Sequence, residues 1–199
     1  MPNLTVEYLG HACFRLTYGD QRIVLDPYAD GSVPGYPPLR TEAEFVYCSH
    51  DHDDHNAAGL VTLHSGGAPR FTLTELTVPH DHHGGARRGE SIIRRFTFGD
   101  KTLVHLGDLG RPLTAEETAA LAAPDVLLIP IGGYYTIDAP EAAAVIDALH
   151  PRITVPMHYR SDTAGYPVLA YLGDALPALL HCETDLRVLA YGETLQIDK

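Results

Sequence analysis

The chain has 199 residues and a formal net charge of −12, with 26 acidic side chains against 14 basic ones. That length supports one sizeable core rather than two, so residues 1–199 are expected to form a single domain. The charge works against nonspecific binding to nucleic acid or to an anionic membrane, since both are polyanions.

No stretch approaches the roughly 20 apolar residues of a membrane span, and Met1 to Gly10 carries no basic and apolar leader. Cys13, Cys48 and Cys182 are scattered and odd in number, which argues against a disulfide framework. A cytoplasmic protein with a small-molecule partner is expected, and a homo-oligomer is compatible with the composition.

From the N-terminus, Leu4 to Leu9 and Ala12 to Tyr18 read as strands, Gly19-Asp20 as a turn and Gln21 to Asp26 as a third strand. Repeated prolines deny regular pairing to the loop from Pro27 to Leu39. Phe45 to Ser49 is a short buried strand, Asn56 to Leu63 the opening of a helix, and Phe71 to Val78 an alternating strand. Ser91 to Phe98, the turn Gly99-Asp100 and Thr102 to Leu106 make a second hairpin.

Thr114-Ala115-Glu116-Glu117 has the capping-box pattern of a helix start. Asp125 to Ile131 suits a buried strand. Asp138 and Glu141 cap a second helix, on which Ala142, Val145, Ile146 and Leu149 share a face. Ile153 to Val155 is a short strand, Pro167 to Leu180 mostly helix, and Leu186 to Ile197 a closing hairpin. The simplest arrangement is an α/β fold with two sheets face to face and helices outside.

Residues 50–55 read His-Asp-His-Asp-Asp-His, a density of imidazole and carboxylate that suits metal coordination better than solvated surface. In an extended segment His50 and His52 point the same way and can grip one ion, while Asp54 and His55 reach a neighbouring one. Further donors stand where strands end: His80, Asp108 and His158. This set exceeds what one tetrahedral zinc needs, which favours two divalent ions. Zinc is the expected metal, with manganese or iron as alternatives.

The string His50-x-His52-x-Asp54-His55 resembles the signature of the metallo-β-lactamase superfamily, and His80, Asp108 and His158 resemble its remaining ligands in order. The strings Gly10-His11, Leu25-Asp26-Pro27, Pro79 to Gly89, His105 to Gly110, Pro130 to Asp138 and Pro156 to Tyr159 resemble a compact bacterial branch of metal-dependent hydrolases. That branch is related to the ascorbate-6-phosphate lactonase type. The resemblance implies a four-layer αββα sandwich with the site at one edge between the sheets. It implies that His50, His52 and His80 hold one metal, that Asp54, His55 and His158 hold the other, and that Asp108 bridges them. His82 and His83 crowd the loop of His80, as replacements for it, as surface groups or as proton donors.

Around that set, His11 is placed at the site rim and Asp26 as a residue that orients a ligand. His105 is expected beneath the metals, with Tyr134, Tyr135 and Thr136 lining the cleft. Cys48, beside the metal loop, suits a small buried apolar role. Arg87 and Arg88 follow the histidine-rich loop, whereas Arg94 and Arg95 suit a solvated strand face.

The implied chemistry is hydrolysis by a hydroxide shared between two ions, with Asp54 and Asp108 as the catalytic carboxylates. Two divalent ions less Asp54, Asp108 and hydroxide leave about one positive charge. With Arg88 as an anchor, this favours a small anionic ester, lactone or phosphodiester. A nuclease or RNA-processing enzyme is the alternative, disfavoured by the net charge and by the lack of a tRNA-binding arm. A noncatalytic metal-binding protein is a third reading. His52 in place of glutamate speaks against the diiron, flavin-partnered oxidoreductases of the superfamily, and a bridging Asp108 against antibiotic hydrolysis.

Overall fold

The computed structural model describes residues 2–198, so the two terminal positions of the expected domain lie outside it. Five strands form one sheet in the order β13-β1-β2-β3-β5: Leu4–Gly10 (β1), Cys13–Tyr18 (β2), Gln21–Leu25 (β3), Phe45–Tyr47 (β5) and Thr194–Ile197 (β13). The short strands Thr41–Ala43 (β4) and Val61–Leu63 (β6) pair with each other.

The second sheet contains Thr72–Pro79 (β7), Glu90–Phe98 (β8), Lys101–His105 (β9), Val126–Pro130 (β10), Ile153–Met157 (β11) and Asp185–Leu186 (β12). Their order is β12-β11-β10-β9-β8-β7. The helices are Ala115–Leu121 (α1), Ala139–Leu149 (α2) and Leu172–Ala175 (α3).

Alternation of apolar residues along the strands builds the space between the sheets. Val6, Phe14, Leu16 and Ile23 of the first sheet meet Phe96, Phe98, Leu128 and Val155 of the second in one buried cluster. The opposite face of the second sheet carries Val104, Leu127 and Ile129, covered by Ala142, Val145, Ile146 and Leu149 of α2. Both longer helices start at the expected capping boxes, Thr114 with Glu117 and Asp138 with Glu141. The outer face of the first sheet is covered differently. Tyr28, Val33 and Leu39 of the proline-rich loop, with Ala43 and Val61 of the small sheet, close over Cys13 and Val24.

Three expected elements differ. Asn56 to Leu63 forms only a 3₁₀ turn at Ala58–Leu60 before running into β6. Gly59 and the β-branched pair Val61-Thr62 are poor helix formers, and β4 offers a pairing edge. Pro167 to Leu180 is helical only over α3 and a 3₁₀ turn at Leu176–Ala178, because Gly173 loosens the segment and Pro177 lacks an N–H. The closing hairpin does not form, since β12 pairs with β11 and β13 with β1. The chain between them crosses from one sheet to the other and drops Leu189 into the central core. Among the described residues no helix is long and apolar enough to cross a membrane.

Candidate metal centre

Strand direction gathers the polar residues at one end of the sandwich. β1 and β3 both pair antiparallel to β2, and β5 runs parallel to β3. β7 and β9 both pair antiparallel to β8, and β10 and β11 continue in the direction of β9. His11, Asp26 and His50 therefore follow the C-terminal ends of like-directed strands of the first sheet, and His80, Asp108 and His158 those of like-directed strands of the second. Gly110 permits the closest approach, since a Cβ there would lie 2.1 Å from the backbone N of Asp81. Glycine at this position lets the His80 loop press against the Asp108 loop.

The segment after β5 is not extended as expected. It curls into turns in which the carbonyl of His52 accepts from the N–H groups of His55 and Asn56 (2.8 and 2.9 Å). The expected triad nevertheless assembles: the His50 ring centroid lies 4.5 Å from that of His52 and 4.6 Å from that of His80.

Asp108 is the hub. Its Oδ2 lies 3.2 Å from Nε2 of His158, 3.3 Å from Nε2 of His80 and 3.9 Å from Nε2 of His50. Its Oδ1 lies 3.3 Å from Nε2 of His55. Donor atoms of His50, His52 and His80 form one mutually close group, and those of His11, Asp54, His55 and His158 another. Buried polar atoms ordinarily find a partner. Here Nε2 of His50, Nε2 of His55, Nδ1 of His80, both ring nitrogens of His158 and Oδ1 of Asp108 have none among the described residues. A divalent cation would satisfy such atoms, and a nitrogen-rich set with carboxylates fits zinc, manganese or iron.

A layer of buried hydrogen bonds orients these donors. Asp26, after β3, accepts from Nδ1 of His55 (2.8 Å), from the hydroxyl of Ser49 (2.6 Å) and from the Ser49 backbone N–H (2.7 Å). Since the Ser49 hydroxyl donates to Asp26, it accepts from Nδ1 of His50, 2.9 Å away. One carboxylate thus engages Nδ1 of His55 directly and Nδ1 of His50 through Ser49, and orients both rings with Nε2 toward Asp108. The Asp108 N–H donates to the hydroxyl of Ser91 (3.0 Å). His105 lies beneath, accepting at Nδ1 from Gly107 and donating from Nε2 to the Ala12 carbonyl. Asp26, His11, Tyr134 and His158 have φ of 45°, 56°, 54° and 54°, a left-handed conformation that costs such residues about 1 kcal/mol or more each. That strain is concentrated around the site.

Electrostatics follow from burial and neighbours. Burial lowers His50 to about 3, helped by His55, and lowers His11 to about 4, helped by His158. Burial opposes charge on His55, but Asp108 and Asp26 outweigh it and hold that ring well above the usual range. Burial likewise opposes charge on Asp108, and His158 and His55 outweigh it, holding the carboxyl well below the usual range. Asp54 is also held low, by the hydrogen bond from His11 and the nearby His55 against the burial effect. Ionised carboxylates among mostly neutral imidazoles are the charge pattern a divalent cation requires.

The group opens into a cleft of about 210 Å³ lined by His52, Asp54, Arg88, Tyr135 and Tyr166, with His80 and Asp108 at its base. The Arg88 guanidinium lies 4.4 Å from the Tyr135 ring centroid and 5.6 Å from that of Tyr134. Asp81 shapes its loop by accepting from the backbone N–H groups of His83, Gly85, Arg87 and Arg88.

His80 joins the cluster, while His82 turns away to Glu141 (2.7 Å). His83, Tyr134 and Thr136 line a neighbouring cavity and not the cleft. His11 is fully buried, so it does not stand at a rim. Its Nε2 contacts Oδ2 of Asp54 at 3.1 Å and holds that carboxylate. Arg94 is not solvated: it is buried and paired with Glu75.

Sequence reasoning missed Ser49, Asp81, Ser91 and Tyr166. Ser49 directly precedes His50, and Asp81 lies inside the histidine-rich loop, so both had a local signal. Ser91 and Tyr166 lie in ordinary strand and loop contexts and had none.

Two packed sheets with imidazoles and carboxylates at one end define the class as the metallo-β-lactamase fold. The chain belongs to the beta-lactamase superfamily, whose domain matches residues 5–158. It is similar to a UPF0173 metal-dependent hydrolase of Thermoplasma acidophilum, at 28% identity over 85% of this chain and 92% of that protein. It is also similar to the structure of a candidate zinc-dependent hydrolase of the metallo-β-lactamase superfamily from Thermotoga maritima. That likeness has 29% identity and a TM-score of 0.70, covering 93% of this chain and 97% of the other. A metallo hydrolase of Ignicoccus hospitalis shares the fold, with a TM-score of 0.75 at 22% identity over 99% of both chains.

Proposed function

We propose that the protein is a dinuclear metal-dependent hydrolase acting on a small anionic ester, lactone or phosphodiester. The observation that carries this reading is the convergence of unpartnered buried donor atoms on Asp108 at the base of an open cleft. His50, His52 and His80 would hold one ion, Asp54, His55 and His158 the other, with Asp108 between them. Similarity to metal-dependent hydrolases supports the same reaction class. Divalent cations, when bound, supply water activated near neutral pH and polarisation of a carbonyl or phosphoryl group.

The chain's own residues divide the remaining work. Arg88 offers a charged fork to an anionic group, and Tyr135 holds its plane by stacking. Among the described residues no carboxylate pairs with Arg88; its contacts are the two tyrosine rings and, through its backbone, Asp81. That freedom is informative in a chain with nearly twice as many acidic as basic side chains (26 to 14). His11 keeps Asp54 ionised and aimed into the cleft. Tyr166 lines the cleft beside Asp54, where its phenol is placed to donate a proton to a leaving group.

Elemental analysis of the purified protein, followed by a panel of lactones, phosphodiesters and thioesters, tests the reading. Two divalent ions per chain and turnover of anionic members are expected. Asp108→Ala should lower the metal content and abolish turnover. Full activity after exhaustive chelation would overturn the reading.

A further inference from the structure

A second cavity, of about 360 Å³, shares no lining residue with the metal cleft. Its walls include Tyr8, Tyr36, Tyr159 and Tyr191, four of the chain's 11 tyrosines, together with Leu189 and Glu193. None of the residues lining it is lysine or arginine. We propose that this cavity is a binding site for a small organic cation of the quaternary ammonium type.

The aromatic walls are built rather than incidental. Tyr8 is buried, and its hydroxyl lies 2.9 Å from that of Tyr36. Tyr36 packs against the end of β1 because residue 10 is glycine, where a Cβ would come within 2.6 Å of the ring. The Tyr36 and Tyr191 ring centroids are 6.2 Å apart with planes inclined by 35°, and both rings line the cavity. Tyr191 is 49% exposed and forms the open side. Tyr159 and Leu189 are buried and floor the cavity with apolar surface.

Ligand chemistry follows from these walls. Aromatic faces carry negative quadrupole potential and attract cations, most strongly those with a weakly held hydration shell. Methyl groups on nitrogen suit the apolar floor, since they need no hydrogen-bond acceptor. Glu193 adds a full negative charge, and among the described residues its carboxylate contact is the backbone N–H of Ala190 (2.8 Å). An anion would meet Glu193, the tyrosine faces and the net charge of the chain, all unfavourable. A neutral apolar ligand would gain from the floor but nothing from Glu193.

Calorimetric titration of the metal-loaded protein with choline, with tetramethylammonium and with the neutral isostere of choline that has carbon in place of nitrogen distinguishes these cases. Saturable binding of both cations is expected, with the isostere about tenfold weaker or worse. Tyr191→Ala, which removes an exposed side chain, should weaken choline binding about tenfold and leave metal content unchanged. Glu193→Gln should weaken it about fivefold. No saturable binding of either cation, equal binding of the isostere, or indifference to Tyr191→Ala would overturn the proposal.

Discussion

Oδ2 of Asp26 lies 2.8 Å from Nδ1 of His55, and both side chains are buried. The same oxygen takes the Ser49 hydroxyl at 2.6 Å, and Ser49 in turn takes Nδ1–H of His50. A single carboxylate at the end of β3 thus orients the Nε2 atoms of two rings toward the metal centre.

Asp26→Asn places an amide where that acceptor stands and removes the preference for the tautomer with Nδ1–H. Metal affinity should fall about 10- to 100-fold, read by competition with a chelator. Ser49→Ala interrupts only the branch to His50 and should cost about tenfold. Ring-nitrogen NMR should show the tautomer of His50 altered in Ser49→Ala and that of His55 unaltered. Unchanged metal affinity in both variants would contradict the relay.

The metal-free protein should lose stability as pH falls from about 6.5 toward 4. His50 and His11 stay neutral in the fold, at about 3 and about 4, while in the unfolded chain they take up protons below about 6.5. The unfolded state binds more protons across that window, so stability rises with pH there, by at most about 3 kcal/mol per pH unit for the pair. His55 has the opposite sign: its contribution is complete below 6.5 and is lost only as pH rises through its elevated value. The depressed Asp54 and Asp108 contribute above 3.8 and lose stability only under stronger acid. Denaturant titrations between pH 4 and 7 check the slope, and a flat profile would refute it.

Arg88→Ala should raise KM for anionic substrates about 10- to 100-fold and change KM for neutral analogues little. Arg88→Lys should fall between, because lysine keeps the charge but loses the planar fork that stacks on Tyr135. Equal effects on charged and neutral substrates would remove the anchor role.

Chelation should lower the thermal midpoint, and zinc restored at a thousandfold excess over Kd should return about 4 kcal/mol of stability. For a chain of this size that corresponds to roughly 10 °C. A midpoint indifferent to metal would separate the donor cluster from metal binding.

The six-residue run from His50 to His55 announces metal chemistry because so many donors in so short a span have no better explanation. Alternation in β1, β2 and β8, and the capping boxes at Thr114 and Asp138, are equally local and equally legible. They rest on contacts within a few residues. What the tertiary structure decided involves partners far apart in the chain.

His80 rather than His82 meets Asp108 because Gly110 admits the loop backbone, 30 positions downstream of His80. His11 reaches Asp54 across 43 positions, and His105 reaches Ala12 across 93. β12 and β13 part company because each completes the edge of a different sheet, which their own residues do not encode. Side-chain type and spacing are local properties, so they declare which atoms can bind metal. Which of those atoms converge, and which groups orient them, depends on packing between sheets and was settled only there.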